Sequence, residues 1–261
     1  MPGIHPSAVI EEGAQIGPDC DVGPFCVIGP DVVLGARVTL KSHVVLTGDT
    51  HVGDDTEIYS FAVIGEIPQD LKFDGEPTRL RIGARNRIRE HVTMNTGTTG
   101  GGGETRVGDD GLFMAGCHIA HDAQIGDRVI VVNSSAVAGH CVIEDDVIIG
   151  GLCGVHQWVR IGQGAIIGAV TMVTKDVVPH GLVQGPRGVL DGLNLVGLKR
   201  KGVDRADITA LRAAFQMLKD GEGTFQDRAH RLADESDSAY VQQMVAFILG
   251  DTDRNFLTPG G

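Results

Sequence analysis

Residues 10–34 read IEEGAQIGPDCDVGPFCVIGPDVVL, and a bulky apolar residue stands at every sixth position of this stretch. The same register extends back to Ile4 and forward to Ile64, resumes at Ile82, and shifts by one residue before it continues from Val107 to Val173. A repeat this regular indicates the overall architecture, and the local secondary structure has to be consistent with it. The sequence therefore predicts a solenoid built from hexapeptides.

Each hexad has a second regular position, four residues after the bulky one, which is usually small or β-branched. Two inward positions per hexad suit a short strand followed by a tight corner, and three such strands complete one coil of a prism. Gly often follows the bulky residue, as at Gly17, Gly23 and Gly35, and we interpret these glycines as corner residues with backbone angles that other residues avoid. The pattern predicts a mainly β protein with a parallel β-helix, and its resemblance to the hexapeptide class predicts the left-handed form.

The hexapeptide pattern stops after Val178, and a helical period replaces it. Helical spacing begins at Ile208, with Asp204 as the predicted N-cap, and further helices are predicted over 225–232 and 240–249. We predict a β-helix domain over residues 1–186 and a small C-terminal α-helical domain over residues 187–261.

The composition excludes several classes of protein. With a formal net charge of −12, the chain lacks the basic excess that nonspecific nucleic-acid binding requires, so no nucleic-acid partner is expected. Neither a membrane span nor an export signal is evident, which predicts a cytoplasmic protein with no integral membrane segment. The five cysteines fall in the small inward column, which predicts buried thiols with no metal or redox role.

Two segments interrupt the repeat and are predicted to project from the prism as loops. The first covers residues 66–81 and contains Asp70 and Lys72, and the second is the Gly-rich segment 95–106. Loops carried by a rigid scaffold often hold binding residues. Asp70 and Lys72 are therefore candidate ligand contacts.

Histidines form a second signal, because four of the ten lie between His118 and His156. Residues one coil apart stack in columns. One column contains His121, Gly139 and Gln157, and the adjacent column contains Asp122, His140 and Trp158. None of these histidines is at an inward position, so all are expected at the surface or at an interface.

Three interpretations fit this cluster. General base catalysis fits best, with His121 as the base, Asp122 as its orienting partner, and the Gly139 N–H facing a developing oxyanion. A zinc site is the second, although the spacing lacks the signature of three or four converging ligands. A polar strip where subunits pack is the third.

Several motifs, in this order, resemble the UDP-N-acetylglucosamine acyltransferase family. They are the hexapeptide repeat, Gln69-Asp70-Leu71-Lys72, Gly75-Glu76-Pro77-Thr78, His118-Ile119-Ala120-His121-Asp122, Ala138-Gly139-His140, Val155-His156-Gln157, and Asn194 followed by Gly197-Leu198-Lys199-Arg200. The resemblance covers nearly the whole chain, including the helical domain.

The resemblance implies transfer of an (R)-3-hydroxyacyl group from acyl carrier protein to the 3-position of UDP-N-acetylglucosamine, the first step of lipid A biosynthesis. It implies no metal, no cofactor beyond the carrier-bound donor, and a homotrimer with active sites between adjacent prisms. Catalysis is assigned to His121, Asp122 and Gly139, and Ala169 corresponds to the residue that limits acyl length. The implied substrate-binding residues are Gln69, Asp70, Lys72, Asn95, His118, His140, His156, Gln157, Asn194 and Arg200.

The chain departs from the family pattern at Asn95, where His is usual, at Val196 and at Lys201. Because Asn95 is expected near the acceptor sugar, transfer to the 3-amino group of a diamino UDP-sugar remains an alternative. A second alternative is another hexapeptide acyltransferase, one that uses acyl-CoA as its donor.

Two basic patches favour an acidic carrier protein as partner. The first consists of Arg79, Arg81, Arg85, Arg87 and Arg89, and the second consists of Lys199, Arg200 and Lys201.

Overall fold

The computed structural model describes residues 3–252 and 254–259, so the predicted domain ends at residues 1–2 and 260–261 lie outside the described residues. Consecutive short strands go to three different sheets, and strands three apart in the chain pair in parallel, as the coils of a triangular prism require. The predicted parallel β-helix is confirmed.

The three faces of the prism are called sheets 1, 2 and 3. Sheet 1 consists of β1 (Val9–Ile10), β4 (Val27–Ile28), β7 (Val45–Leu46), β10 (Val63–Glu66), β13 (Thr93–Asn95), β16 (His118–Ile119), β19 (Ala136–Val137), β22 (Gly154–Val155) and β25 (Met172–Val173). Sheet 2 consists of β2 (Gln15–Ile16), β5 (Val33–Leu34), β8 (Asp49–Val52), β11 (Arg79–Ile82), β14 (Glu104–Val107), β17 (Gln124–Ile125), β20 (Val142–Ile143) and β23 (Arg160–Ile161). Sheet 3 consists of β3 (Asp21–Val22), β6 (Thr39–Leu40), β9 (Glu57–Ile58), β12 (Arg87–Ile88), β15 (Leu112–Phe113), β18 (Ile130–Val131), β21 (Ile148–Ile149), β24 (Ile166–Ile167), β26 (Gly181–Gln184) and β27 (Val189–Leu193).

The two inward columns fill the prism, as the hexad pattern predicts. The bulky residues such as Ile28 and Leu46 are fully buried, and all five cysteines are buried and unpaired. Burial raises the pKa of Cys117 and of Cys141 to about 12, so these thiols stay protonated and pack as small apolar groups.

The proposed reason for the corner glycines is wrong. Gly17, Gly23 and Gly35 do not have positive φ, and the left-handed residue of each corner lies two positions later, as at Asp19 with φ 58°. The glycines are needed because the coils approach closely: a Cβ on Gly17 would lie 2.2 Å from the carbonyl oxygen of Gly35.

Both predicted loops are confirmed, and they leave the prism at one corner. The first connects β10 to β11 over residues 67–78, and the second connects β13 to β14 over residues 96–103 and includes a 3-10 turn at Thr99–Gly101. Because β11 pairs directly with β14, the loops lie in adjacent coils at the corner between sheets 1 and 2.

The C-terminal part is helical, as predicted, with α1 (Leu195–Arg200), α2 (Arg205–Asp220), α3 (Phe225–Glu235) and α4 (Ala239–Leu249). Asp204 is at the N-cap of α2, although its side chain makes no capping hydrogen bond. The short helix α1 was not predicted. The antiparallel pair β26 and β27 spans the predicted domain division after residue 186, and that division stays a prediction. Within the described ranges, no helix has the length and hydropathy needed to cross a bilayer.

Candidate active site

His121 and Asp122 form a buried hydrogen-bonded pair at the corner between sheets 1 and 2. The Nδ1 atom of His121 lies 2.8 Å from Oδ2 of Asp122, and the two residues are 5% and 3% exposed. In the neutral ring, an Nδ1–H donated to the carboxylate leaves Nε2 unprotonated, and Nε2 has no hydrogen-bond partner among the described residues. A buried imidazole in this tautomer can act as a general base.

The predicted columns are confirmed by contacts between coils. A Cβ added to Gly139 would lie 2.4 Å from Cε1 of His121, so the ring packs directly on this glycine. In the neighbouring column the rings of His140 and Trp158 stack at 3.9 Å, and His140 meets His121 edge-on at 4.9 Å. Within one chain His121 does not reach the surface, because Gly139 and His140 of the next coil cover its ring. The alternative place expected for it, at an interface, stays a prediction.

The second loop covers Asp122. Thr98 donates its backbone N–H to Oδ1 at 2.8 Å and its hydroxyl to Oδ2 at 2.6 Å. The backbone N–H of Asp122 donates to Oγ1 of Thr105 at 2.7 Å. The carboxylate is therefore held by the Gly-rich segment as well as by His121, and neither threonine was predicted as a site residue, because no repeat or charge pattern marks them.

A cleft of about 700 Å³ lies beside the pair and brings the first loop to the histidine cluster. Its lining includes Asp70, Lys72, Thr98, His140 and Trp158. Trp158 is 49% exposed, and its indole supplies an apolar wall next to the charged groups of the loop. The cleft brings Asp70 and Lys72 close to His140, and it suits a ligand with both polar and apolar parts. Their role as ligand contacts stays a prediction.

Burial controls the charge of the outer histidines. It lowers the pKa of His140 below the ordinary value of 6.5; His121 adds to the lowering, while Asp122 and Asp70 oppose it. The pKa of His118 is also lowered, first by burial and then by His121. Both imidazoles are thus neutral at neutral pH.

Two family models match parts of the chain. The model described as "Udp N-acetylglucosamine O-acyltransferase; Domain 2" matches residues 176–257. The model of the bacterial transferase hexapeptide, with six repeats, matches residues 7–42. Together they match the helical region and the first coils.

Comparison with whole proteins decides the family. The acyl-(acyl-carrier-protein) UDP-N-acetylglucosamine O-acyltransferase of Agrobacterium fabrum is 43% identical over 98% of this chain and 95% of its own length. The chain belongs to the UDP-N-acetylglucosamine O-acyltransferase family. The protein of the same name from Paracoccus denitrificans is 67% identical over 77% of each chain.

A solved structure of the family also matches the fold. The UDP-N-acetylglucosamine acyltransferase from Campylobacter jejuni superposes with a TM-score of 0.93 at 37% identity, covering 99% of this chain and 100% of that one. This similarity confirms the left-handed β-helix and the small helical C-terminal part.

The other histidine positions implied by the family lie around the pair. His118 is on the outer face of sheet 1, where its Nδ1 pairs with Oγ1 of Thr93 at 2.8 Å. His156 and Gln157 are exposed at the same corner, and Arg254 binds Nδ1 of His156 at 2.8 Å and the backbone oxygen of Gln157 at 2.6 Å. Arg254 was not predicted, since it lies 97 residues from Gln157 in the chain.

Asn194 and Arg200 are not brought to His121 within one chain. Asn194 caps α1 by accepting the N–H of Gly197, and its amide donates to the backbone oxygen of Gly164. Both residues line a cavity of about 210 Å³ at a different corner of the prism, between sheets 2 and 3. Ala169 is exposed at the third corner, and Gln69 is exposed on the first loop.

Asn95, the main departure from the family pattern, anchors the first loop. Its Nδ2 donates to the backbone oxygens of Glu66 at 3.2 Å and Ile67 at 3.0 Å. The residue is 3% exposed, and its Oδ1 has no hydrogen-bond partner among the described residues. Asn95 therefore holds the base of the loop that lines the cleft.

The first predicted basic patch does not exist as a patch. The coil distributes its members over different faces, since Arg79 and Arg81 are on sheet 2 and Arg87 is on sheet 3. Most are also paired with acids, such as Arg81 with Asp49 at 2.8 Å. In the second group Lys201 pairs with Asp146, whereas Lys199 and Arg200 are exposed in the last turn of α1.

Proposed function

We propose that the protein transfers an (R)-3-hydroxyacyl group from acyl carrier protein to the 3-hydroxyl of UDP-N-acetylglucosamine, with His121 as the general base. The observation that carries this proposal is the buried pair in which Asp122 accepts the Nδ1–H of His121 and leaves Nε2 available. The relatives are named for O-acyl transfer from acyl carrier protein to UDP-N-acetylglucosamine, and the carrier-bound donor leads us to expect the reaction in the cytoplasm.

In the proposed reaction, Nε2 of His121 takes the proton of the sugar 3-hydroxyl while that oxygen attacks the thioester carbonyl carbon. The Gly139 N–H donates to the oxyanion of the tetrahedral intermediate. The C–S bond then breaks, the acyl group remains on the sugar oxygen, and the imidazolium returns its proton to the leaving thiolate. Asp122 fixes the tautomer of the ring and stabilises its transient charge.

We propose that no metal takes part, although His121, Asp122 and His140 present ligand atoms within 4.8 Å of one another. Both oxygens of Asp122 already accept hydrogen bonds from Thr98, and one also pairs with His121. A metal would have to displace these donors. The hydrogen bond between His121 and Asp122 explains their short distance, and His140 is brought close by its edge-on ring contact with His121.

The test of this function is an acyl-transfer assay with the same (R)-3-hydroxyacyl group presented on acyl carrier protein or on coenzyme A. We expect turnover with the carrier protein, little with coenzyme A, and the same rate after treatment with a chelator. Exclusive use of coenzyme A would support the alternative acyltransferase, and loss of activity restored by zinc would support a metal enzyme.

We propose a homotrimer in which the active site lies between neighbouring prisms. The outer face of sheet 1 is lined by apolar residues such as Val27, Val45 and Met172, and Met172 is 48% exposed. Extended exposed apolar surfaces commonly mark protein interfaces. A neighbouring chain also offers a way to bring Arg200 to His121, because the two lie at different corners of one chain.

Subunit complementation tests this arrangement. His121→Ala and Arg200→Ala are expected to be weakly active alone. Equal co-expression should restore about a quarter of wild-type activity in the whole randomly assembled population, because that fraction of sites combines an intact His121 with an intact neighbouring Arg200. The same variants mixed after separate purification, without subunit exchange, serve as the control. Mixed trimers with no more activity than the two variants separately would contradict a shared site.

A further inference from the structure

The Gly-rich second loop makes its closest approach to the catalytic pair at Thr98. Thr98 is 6% exposed and lies directly against Asp122. The approach depends on glycine, because a Cβ on Gly101 would lie 2.0 Å from Cγ of Asp122 and a Cβ on Gly97 would lie 2.4 Å from the backbone nitrogen of Glu104. The loop is thus built to contact this carboxylate.

Thr98 engages both oxygens of the carboxylate. Its N–H holds Oδ1 at 2.8 Å, and its hydroxyl holds Oδ2 at 2.6 Å, the same oxygen that accepts from His121 at 2.8 Å. Two donors from one residue fix the rotation of the carboxyl group about its Cβ–Cγ bond. Since hydrogen-bond strength falls steeply with poor alignment, this rotation determines how well Oδ2 faces Nδ1 of His121.

The residues on either side of Thr98 are held by the first loop. The N–H of Thr99 donates to Oε1 of Glu76 at 3.3 Å, and Oγ1 of Thr78 donates to Oγ1 of Thr96 at 3.0 Å. The two loops therefore support each other on either side of Thr98. Thr98 therefore contacts Asp122 from a segment whose position is fixed by the hydrogen bonds of Thr96 and Thr99.

We propose that Thr98 is a positioning residue of the acyl transfer, which orients Asp122 so that His121 is held in its active tautomer. This inference rests on the proposed general-base function of His121. Thr98 acts through the carboxylate and does not exchange a proton with the substrate. Its hydroxyl donates to the same Asp122 oxygen that faces Nδ1 of His121, and so it shares the negative charge that faces the imidazole.

The test compares Thr98→Val, which removes only the hydroxyl donor, with Thr98→Ser, which retains it. We expect Thr98→Val to lower kcat about 10- to 100-fold with a change of less than about twofold in acceptor KM, because a hydrogen bond to a charged group is lost. Its pH profile of kcat should also differ from that of the wild type, because the charge that faces His121 is no longer shared with the Thr98 hydroxyl. His118, His140 and Asp70 also face this region, and they are unchanged in both variants. Thr98→Ser should recover activity to within about threefold.

Thr56→Val is the matched control, since Thr56 is a fully buried threonine whose hydroxyl donates to the backbone oxygen of Gly83 at another corner. It should retain wild-type kcat. The inference is overturned if Thr98→Val keeps the wild-type kcat and pH profile, if Thr98→Ser is as impaired as Thr98→Val, or if Thr56→Val loses as much activity. Including His121→Ala separates the two proposals: normal turnover of that variant refutes the base, whereas an inactive His121→Ala beside a fully active Thr98→Val refutes only the role of Thr98.

Discussion

His121→Ala is expected to lower kcat by about a thousandfold, within the range contributed by general acid-base groups, while the protein stays folded. In the buried pair, Nε2 of the imidazole is available as a base, whereas the Asp122 carboxylate already accepts three hydrogen bonds. The side chain fills a corner outside the two inward columns, so its removal leaves the prism core intact. Steady-state turnover with the carrier-protein donor measures the effect.

His230→Ala is the control, because His230 is exposed on α3 in the C-terminal helical part and does not line the cleft. It should match the wild type in kcat and melting temperature. Turnover of His121→Ala within a few fold of the wild type would show that another group removes the proton. A large fall in melting temperature for His121→Ala would show instead that the ring is mainly structural.

Gly139→Ala is expected to lower kcat about a hundredfold with little loss of stability. The backbone of Gly139 does not have positive φ, so alanine suits its conformation, but the new Cβ would meet Cε1 of His121 at 2.4 Å and Nε2 at 2.6 Å. The ring must move away, and small misplacements of a catalytic group reduce rates by such factors. Kinetics combined with thermal unfolding measures both effects.

Gly29→Ala is the matched substitution, because a Cβ on Gly29 meets its nearest atom, Cα of Thr47, at an ordinary 3.4 Å. It should leave both kcat and melting temperature unchanged. If Gly139→Ala retained wild-type turnover, the close packing of His121 on this glycine would have no catalytic importance.

The hexad register was sufficient to predict the coil and the contacts that follow from it. Stacking of His121 on Gly139 and of His140 on Trp158 follows from the period alone, since residues one coil apart must be neighbours. The same period shows why the arginine patch failed. Residues such as Arg81 and Arg87 are close in sequence, yet they belong to different faces of the prism.

The hexad period does not predict the conformation or the contacts of the two loops. The burial of Asp122 depends on Thr98, which belongs to a segment without periodicity, and its conformation is set by close contacts at Gly97 and Gly101. Asn95 is predicted near the acceptor from a family difference, and that stays a prediction. The anchoring of the first loop by its amide has no signal in the hexad period. The roles of the corner glycines were missed for a related reason, since the distance between coils is not visible in the torsional preference of one residue.

The bond formed in the product tests the central claim most directly. The wild-type protein is incubated with an (R)-3-hydroxyacyl carrier protein and with either UDP-N-acetylglucosamine or its 3-amino analogue, and NMR locates the acyl group. We predict an ester at the 3-oxygen of UDP-N-acetylglucosamine, with one carrier-protein thiol released for each product formed. Acylation of the 3-amino analogue alone, or no acylation of either sugar nucleotide, would contradict this account.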